Sequence, residues 1–258
     1  MSGTSLDGVD LCWVKFSKKE DWSFDILAAE THAYAPSIKS RLQSAMTMSS
    51  EALIKLDRDY TMHLADCLKL FIEKYNIKNL DAVCSHGHTI FHQPDKGITL
   101  QIGNLPILAD AIQQTVVCDF RVQDVAMGGQ GAPLVPIGDL LLFPQYDFCL
   151  NLGGFANISF QSTSQRIAFD ICPANITLNH YAQLLGCSFD NNGEFAKKGA
   201  LNLPLLEALN NLEFYKKQPP KSLGLEWVQN EIYDLVDAFD LSPYSILRTL
   251  VEHSAIQI

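Results

Sequence analysis

Residues 146–160, YDFCLNLGGFANISF, read as two apolar strands folded about Gly153 and Gly154. Aromatic and aliphatic residues flank a Gly-Gly pair, the pattern of two strands joined by a tight turn. RIAFD (166–170) reads as a further strand ending in an acid. PANITLNHYAQLLG (173–186) then opens a helix, since proline suits a first helical turn and Gly186 suits the end. Strand, glycine turn, strand and helix in this order point to an α/β layered fold.

The same architecture stands at the start of the chain. MSGTSLDGVD (1–10) is a turn rich in glycine, hydroxyls and acids placed directly ahead of an apolar run, LCWVKF (11–16). Residues 9–16 and 23–33 read as a hairpin across the polar KKEDW. From Ser37 to Tyr75 the period becomes helical, with Leu53, Leu56, Tyr60, Leu64, Cys67, Leu68 and Phe71 on one face. LDAVCSH (80–86) reads as a short buried strand, followed by an apolar piece ending in TLQIGN, a helix near Leu105–Gln114 and the strand TVVCDF. Arg121 to Pro136 reads as a glycine-rich loop. Beyond residue 186 the chain is mostly helical, with a proline-rich break at QPPKS (218–222).

The 258 residues, 47% of them hydrophobic, suffice for one large or two moderate cored domains. With 19 Lys+Arg against 29 Asp+Glu the net charge is −10, which argues against nucleic acid or an anionic membrane as partner. No apolar run approaches the roughly 20 residues that span a bilayer, and the start lacks the pattern of a signal peptide, so a cytoplasmic location is expected. The seven cysteines are scattered without a C-x-x-C pair and read as reduced, buried thiols.

Gly3 and Gly8 let backbone N–H groups converge, and Thr4 and Ser5 add hydroxyl donors, so the first loop can cradle phosphate without net positive charge. An ordinary Gly/Asp turn explains the same residues equally well. The two glycine turns together suggest a nucleotide gripped between paired domains. Asp170, at a strand end before a helix, stands where α/β sheets place ligands and can serve as a general base, or can simply cap the turn. His86, His88 and His92 suggest a metal site, but H-x-H-x3-H in a strand-to-turn segment does not guarantee the further ligand and fixed geometry zinc needs, and a polar wall for a small ligand is the better reading; no metal ligand is assigned. Arg121 can fork to a carboxylate or phosphate, or can pair internally with Asp119 or Asp124.

Taken in order, MSGTSLDGVD, SHGHTIFHQP, TLQIGN, DFRVQDVAMGGQGAPLVP, NLGGFANIS and FDICPAN resemble the anhydro-N-acetylmuramic acid kinases, within the superfamily of sugar kinases, actin and heat-shock-chaperone ATPases. The resemblance implies two ribonuclease-H-like (actin/hexokinase-type) α/β domains with an intervening cleft, over residues 1–140 and 141–258. It implies ATP and Mg2+ as cofactors and an anhydro-amino sugar as substrate, phosphorylated with hydrolytic ring opening to N-acetylmuramate 6-phosphate in peptidoglycan recycling. Gly3, Thr4, Ser5, Leu6, Asp7, Gly8, Val9 and Asp10 match the ATP phosphate loop, and Asp170 the catalytic aspartate. His86, Arg121 and Asp124 match segments lining the sugar cleft. No nucleic acid or membrane partner is implied, and a homodimer is compatible.

Three departures from the family accompany the match. The strand that normally precedes the first loop is missing, and the chain stops at VEHSAIQI where the family continues, so truncation at both ends is expected and the second domain is incomplete. The family's Gly-Pro-Gly after the catalytic aspartate is Cys172, Pro173 and Ala174 here. A non-catalytic remnant that binds sugar or a partner is the alternative reading. A His-site metallohydrolase is a third.

Overall fold

The structure, a computed structural model, describes residues 1–3, 6–93, 96–129 and 131–258. It is a mixed α/β protein that divides into two compact units, Met1–Leu134 and Val135–Ile258.

In the first unit, β1 (Gly8–Lys18) and β2 (Trp22–Ala33) form the antiparallel hairpin expected from the sequence, with Gly8 opposite Ala33 and Lys18 opposite Trp22. The helical stretch follows as α1 (Pro36–Ser44) and α2 (Ser50–Lys74). Ser49 caps α2 by accepting the Ala52 N–H at 3.3 Å. Leu56, Tyr60, Leu64, Cys67 and Phe71 of α2 are buried against Val9, Leu11, Ile90, Ile102 and Leu108. Each such large side chain contributes about 1.5–3 kcal/mol by leaving water. Two short strands, β3 (Val83–Cys84) and a later β6 (Val116–Val117), pair in parallel. Between them lie the antiparallel pair β4 (His88–Gln93) and β5 (Ile98–Ile102) and the helix α3 (Ile107–Ile112). Gly103, at φ +94, ends β5 in a backbone shape that suits glycine, and a Cβ there would come within 2.7 Å of Leu64 Cδ1.

The second unit holds a three-stranded antiparallel sheet in the order β7 (Phe148–Leu152), β8 (Phe155–Gln161), β9 (Arg166–Pro173). Residues 146–160 thus form the two strands expected about Gly153 and Gly154. Helix α5 (Pro136–Leu142) precedes the sheet, and α6 (Asn175–Gln183), α7 (Leu203–Asn210) and α8 (Glu213–Lys216) follow it. α9 (Leu225–Trp227) runs through a π-helical turn, Val228–Tyr233, into α10 (Asp234–Asp237), and α11 (Pro243–Gln257) completes the unit. Tyr181, Leu205, Leu209, Val228, Ile232, Val236 and Leu247 form its main core. Among the described residues no helix is long and apolar enough to cross a membrane.

Several local expectations need correction. The stretch after Asp119 is not a plain loop: Phe120–Ala126 is a helix, α4, whose Val125 turns inward. The helix after Asp170 starts at Asn175, and Pro173 belongs to β9, paired with Phe155. All seven cysteines are free, but only Cys67 and Cys172 are buried; Cys12 and Cys84 are exposed because strand alternation turns them outward, and Cys187 is exposed beyond the end of α6.

Candidate functional site

The first loop and the residues around Arg121 belong to the first unit, and the Gly153–Gly154 turn and Asp170 to the second. In the first unit, Thr4 and Ser5 lie outside the described residues. The rest of the first loop is closely tied. Leu6 sits at φ +52 and donates its N–H to Gly3 O at 3.3 Å, while Gly8 N–H is held by Asp7 Oδ1 at 3.0 Å. Asp10 N–H reaches Met1 O at 2.8 Å, and Asp10 Oδ1 accepts the Thr31 hydroxyl at 2.6 Å. Val9 is buried and anchors the loop. Gly8 has no room for a side chain, since a Cβ would lie 2.4 Å from His32 O.

Behind this loop runs a buried polar chain that sequence reasoning missed. Tyr34 donates its hydroxyl to Ser2 Oγ at 2.5 Å and lies 2.6 Å from the Tyr60 hydroxyl. Ser2 Oγ stands 2.8 Å from His88 Nδ1, and Ser2 bridges the backbone of His88 in parallel. Burial raises both tyrosine pKa values and pushes His88 down to about 4, so the chain is neutral and each hydroxyl finds a partner. Alternating burial along THAYAP and the period of α2 hinted at the tyrosines, but contacts across 86 residues are invisible in sequence.

The three residues matched to the sugar cleft do come together. Arg121 donates from Nε to His86 Nε2 at 2.9 Å and from Nη1 to Gly131 O at 2.6 Å, and Gly131 N–H is held by Asp124 Oδ2 at 2.6 Å. His86 Nδ1 lies 3.1 Å from Gly87 O. With Nε2 accepting from Arg121, the Nδ1 position carries the proton. Burial and then the guanidinium hold the His86 pKa down, which fits a neutral ring. Arg121 and Asp124 are thus joined through the Gly131 backbone. The same face carries Asn104, whose Nδ2 donates to Asp119 Oδ1 at 3.1 Å and whose Oδ1 accepts Ser85 Oγ at 2.8 Å. Among the described residues no three His, Cys, Asp or Glu are grouped to hold a metal ion. His88 is engaged by Ser2, His86 by Arg121, and His92 by Thr99 at 3.1 Å.

In the second unit Asp170 lies on β9 opposite Asn157, beside a bulge that breaks the register between Ala156 and Asn157. Bulges of this kind re-aim side chains next to sites. Asp170 Oδ2 accepts the Leu223 N–H at 2.8 Å, and Asp170 N–H donates to Lys221 O at 3.0 Å. Burial raises its pKa, and the Leu223 N–H partly opposes this. The Gly153–Gly154 turn meets the start of the helix that follows β9. Its carbonyls accept the N–H groups of Asn175 (3.1 Å), Ala174 (2.9 Å) and Ile176 (3.1 Å), so it caps α6. Cys172, two residues beyond Asp170, is buried, and burial pushes its thiol up to about 11.

Comparison with known proteins decides what these clusters belong to. The family model described as anhydro-N-acetylmuramic acid kinase matches residues 1–258. The chain belongs to the anhydro-N-acetylmuramic acid kinase family. It is 35% identical to the anhydro-N-acetylmuramic acid kinase of Pasteurella multocida, over 99% of this chain and 71% of that protein. It is 34% identical to one from Bacillus cereus, over 100% of this chain and 73% of that protein. The Xylella fastidiosa protein of the same name is 34% identical over 100% of this chain and 71% of its own length. The mixed α/β structure accords with membership of a kinase family.

Proposed function

We propose that this protein is an ATP-dependent kinase that phosphorylates 1,6-anhydro-N-acetylmuramic acid and opens its anhydro ring, giving N-acetylmuramate 6-phosphate for peptidoglycan recycling in the cytoplasm. The observation that carries this reading is the Asp170 carboxylate, half-buried, held by a backbone amide and raised in pKa, in a chain of this family. Asp170 takes a proton from water, and the hydroxide attacks the anomeric carbon. The bond from that carbon to the bridging oxygen breaks, and that oxygen accepts the γ-phosphoryl group as ADP leaves.

The remaining roles follow the family reading. Each unit is a ribonuclease-H-like domain, and the loop Gly3–Asp10 meets the ATP phosphates through backbone amides. Main-chain donors of this kind suit a protein of net charge −10, where no broad cationic surface is available. His86, Arg121 and Asp124 bind the sugar, with Arg121 the natural partner for the lactyl carboxylate. The carboxylate oxygens of Asp7 and Asp10 are hard donors that fit Mg2+, which favours one or two carboxylates together with phosphate oxygens. Held there with ATP, the ion would supply charge neutralisation for the transferring phosphoryl group.

The test is Asp170→Asn. The amide keeps the size of the side chain but cannot take the proton, so turnover should fall by about a hundred- to ten-thousandfold while ATP affinity by calorimetry stays within about twofold of wild type. Wild-type turnover in this variant would remove Asp170 from the chemistry.

A further inference from the structure

The proline-rich segment QPPKS has no part in the reading above, yet it lies against Asp170. We propose that Lys221–Leu223 is a positioning strap that holds the Asp170 carboxylate ionised and aimed for proton abstraction; this rests on Asp170 acting as the base.

Three observations support it. The strap grips one residue twice, with Lys221 O accepting the Asp170 N–H at 3.0 Å and the Leu223 N–H donating to Asp170 Oδ2 at 2.8 Å. This alternation of i and i+2 resembles a short strand added beside β9, and it fixes both the backbone and the carboxylate of the same residue. The strap is also anchored. Lys221 Nζ lies 4.6 Å from the centre of the Phe214 ring and 5.9 Å from that of Phe169, and it donates to Phe214 O at 3.4 Å. Finally, the polar surroundings of Asp170 leave the amide as the group that favours its charged form. Asn157 lies opposite on β8, the Lys221 ammonium is committed to the aromatic rings, and the Tyr215 hydroxyl is engaged by His253 Nε2 at 2.8 Å. Burial alone drives this carboxyl toward its neutral form, and the Leu223 N–H is what opposes it.

The strap's amide therefore sets the lower pH limit of catalysis. An N–H donor stabilises the carboxylate and lowers its pKa; removing the donor raises it, so the acid limb of the turnover profile moves to higher pH. Replacing Leu223 with its α-hydroxy acid exchanges the peptide N–H for an ester oxygen and leaves the side chain unchanged. The acid limb should then move up by about one pH unit, with turnover on that limb falling about tenfold and the KM for ATP unchanged. Leu223→Ala retains the N–H and should keep the limb where it is. If the ester protein does not fold, Lys221→Ala, which frees the anchor, should move the limb in the same direction. An unmoved limb in the ester protein, or in Lys221→Ala where the ester fails, overturns the strap. Asp170→Asn separates the two levels: near-wild-type turnover there defeats the functional reading itself, whereas an inactive Asp170→Asn with an unmoved limb in the strap variant defeats the strap alone.

Discussion

Arg121 donates its Nε hydrogen to His86 Nε2 at 2.9 Å, joining helix α4 to the end of β3 across 35 residues of chain. Its Nη1 holds Gly131 O at the same time. A lysine at this position carries the charge but cannot make both bonds, because its donors sit on a single nitrogen. Arg121→Lys should raise the KM for the anhydro-sugar about ten- to a hundredfold and leave that for ATP unchanged. Steady-state kinetics with each substrate varied in turn settles it, and an unaltered sugar KM would take Arg121 out of the sugar site.

Gly8 allows a contrast within one protein. A Cβ at Gly8 meets His32 O at 2.4 Å, a backbone atom pinned by the β1–β2 pairing, whereas a Cβ at Gly138 in α5 meets nothing within 4 Å. Gly8→Ala should cost about 1–3 kcal/mol and weaken ATP binding by displacing the first loop. Gly138→Ala should stabilise by about 0.5–1 kcal/mol, since alanine loses less backbone freedom in a helix. Denaturant unfolding with calorimetric ATP titration reads both, and a Gly8→Ala protein of wild-type stability and affinity contradicts the first.

The Tyr60–Tyr34–Ser2–His88 chain should behave as a unit. Tyr34→Phe removes the hydroxyl that serves both Ser2 and Tyr60, at a cost of about 1–3 kcal/mol. Adding Tyr60→Phe should then cost less than it does alone, because its partner has already gone, giving a coupling of about 0.5 kcal/mol or more. Strict additivity in the double-mutant cycle would falsify the shared network.

Two buried histidines predict acid sensitivity. His88 and His253 are each held down to about 4 by burial, from an ordinary value of 6.5. In His253 the ring is enclosed between the Tyr215 hydroxyl at 2.8 Å and Asn210 Oδ1 at 2.7 Å. Between pH 4 and 6.5 the unfolded chain takes up protons on these rings that the folded protein refuses. Stability is therefore fully present above about pH 6.5 and declines as pH falls toward 4, by about 1–3 kcal/mol for each histidine. Urea unfolding at about pH 7.5 and about pH 4.5 measures the slope. His253→Gln, which cannot be charged, should flatten it, and a slope identical to wild type would show that the ring does not carry this effect.

Local order determined much of this protein. The period of α2, the β1–β2 hairpin and the strands around Gly153 and Gly154 each follow from patterns within about 25 residues, where chain connectivity limits the alternatives. The six motifs in order pointed to the family, and the match over residues 1–258 agrees. Weak local signals were misread where tertiary contacts outweighed them. Phe120–Ala126 is helical despite the neighbouring glycines, and Pro173 ends a strand because its pairing with Phe155 outweighs its suitability for a helix start.

Which residues meet was decided by tertiary structure. Nothing in the order of residues places Leu223 on Asp170, Gly131 between Arg121 and Asp124, or Ser2 against His88. Each of these contacts depends on backbone atoms or on loops closed over many residues, and the cost of closing them is met by cores formed elsewhere in the same unit. A sequence specifies the chemical groups and their local geometry; the hydrogen-bond partner, and with it the pKa, is chosen by the fold.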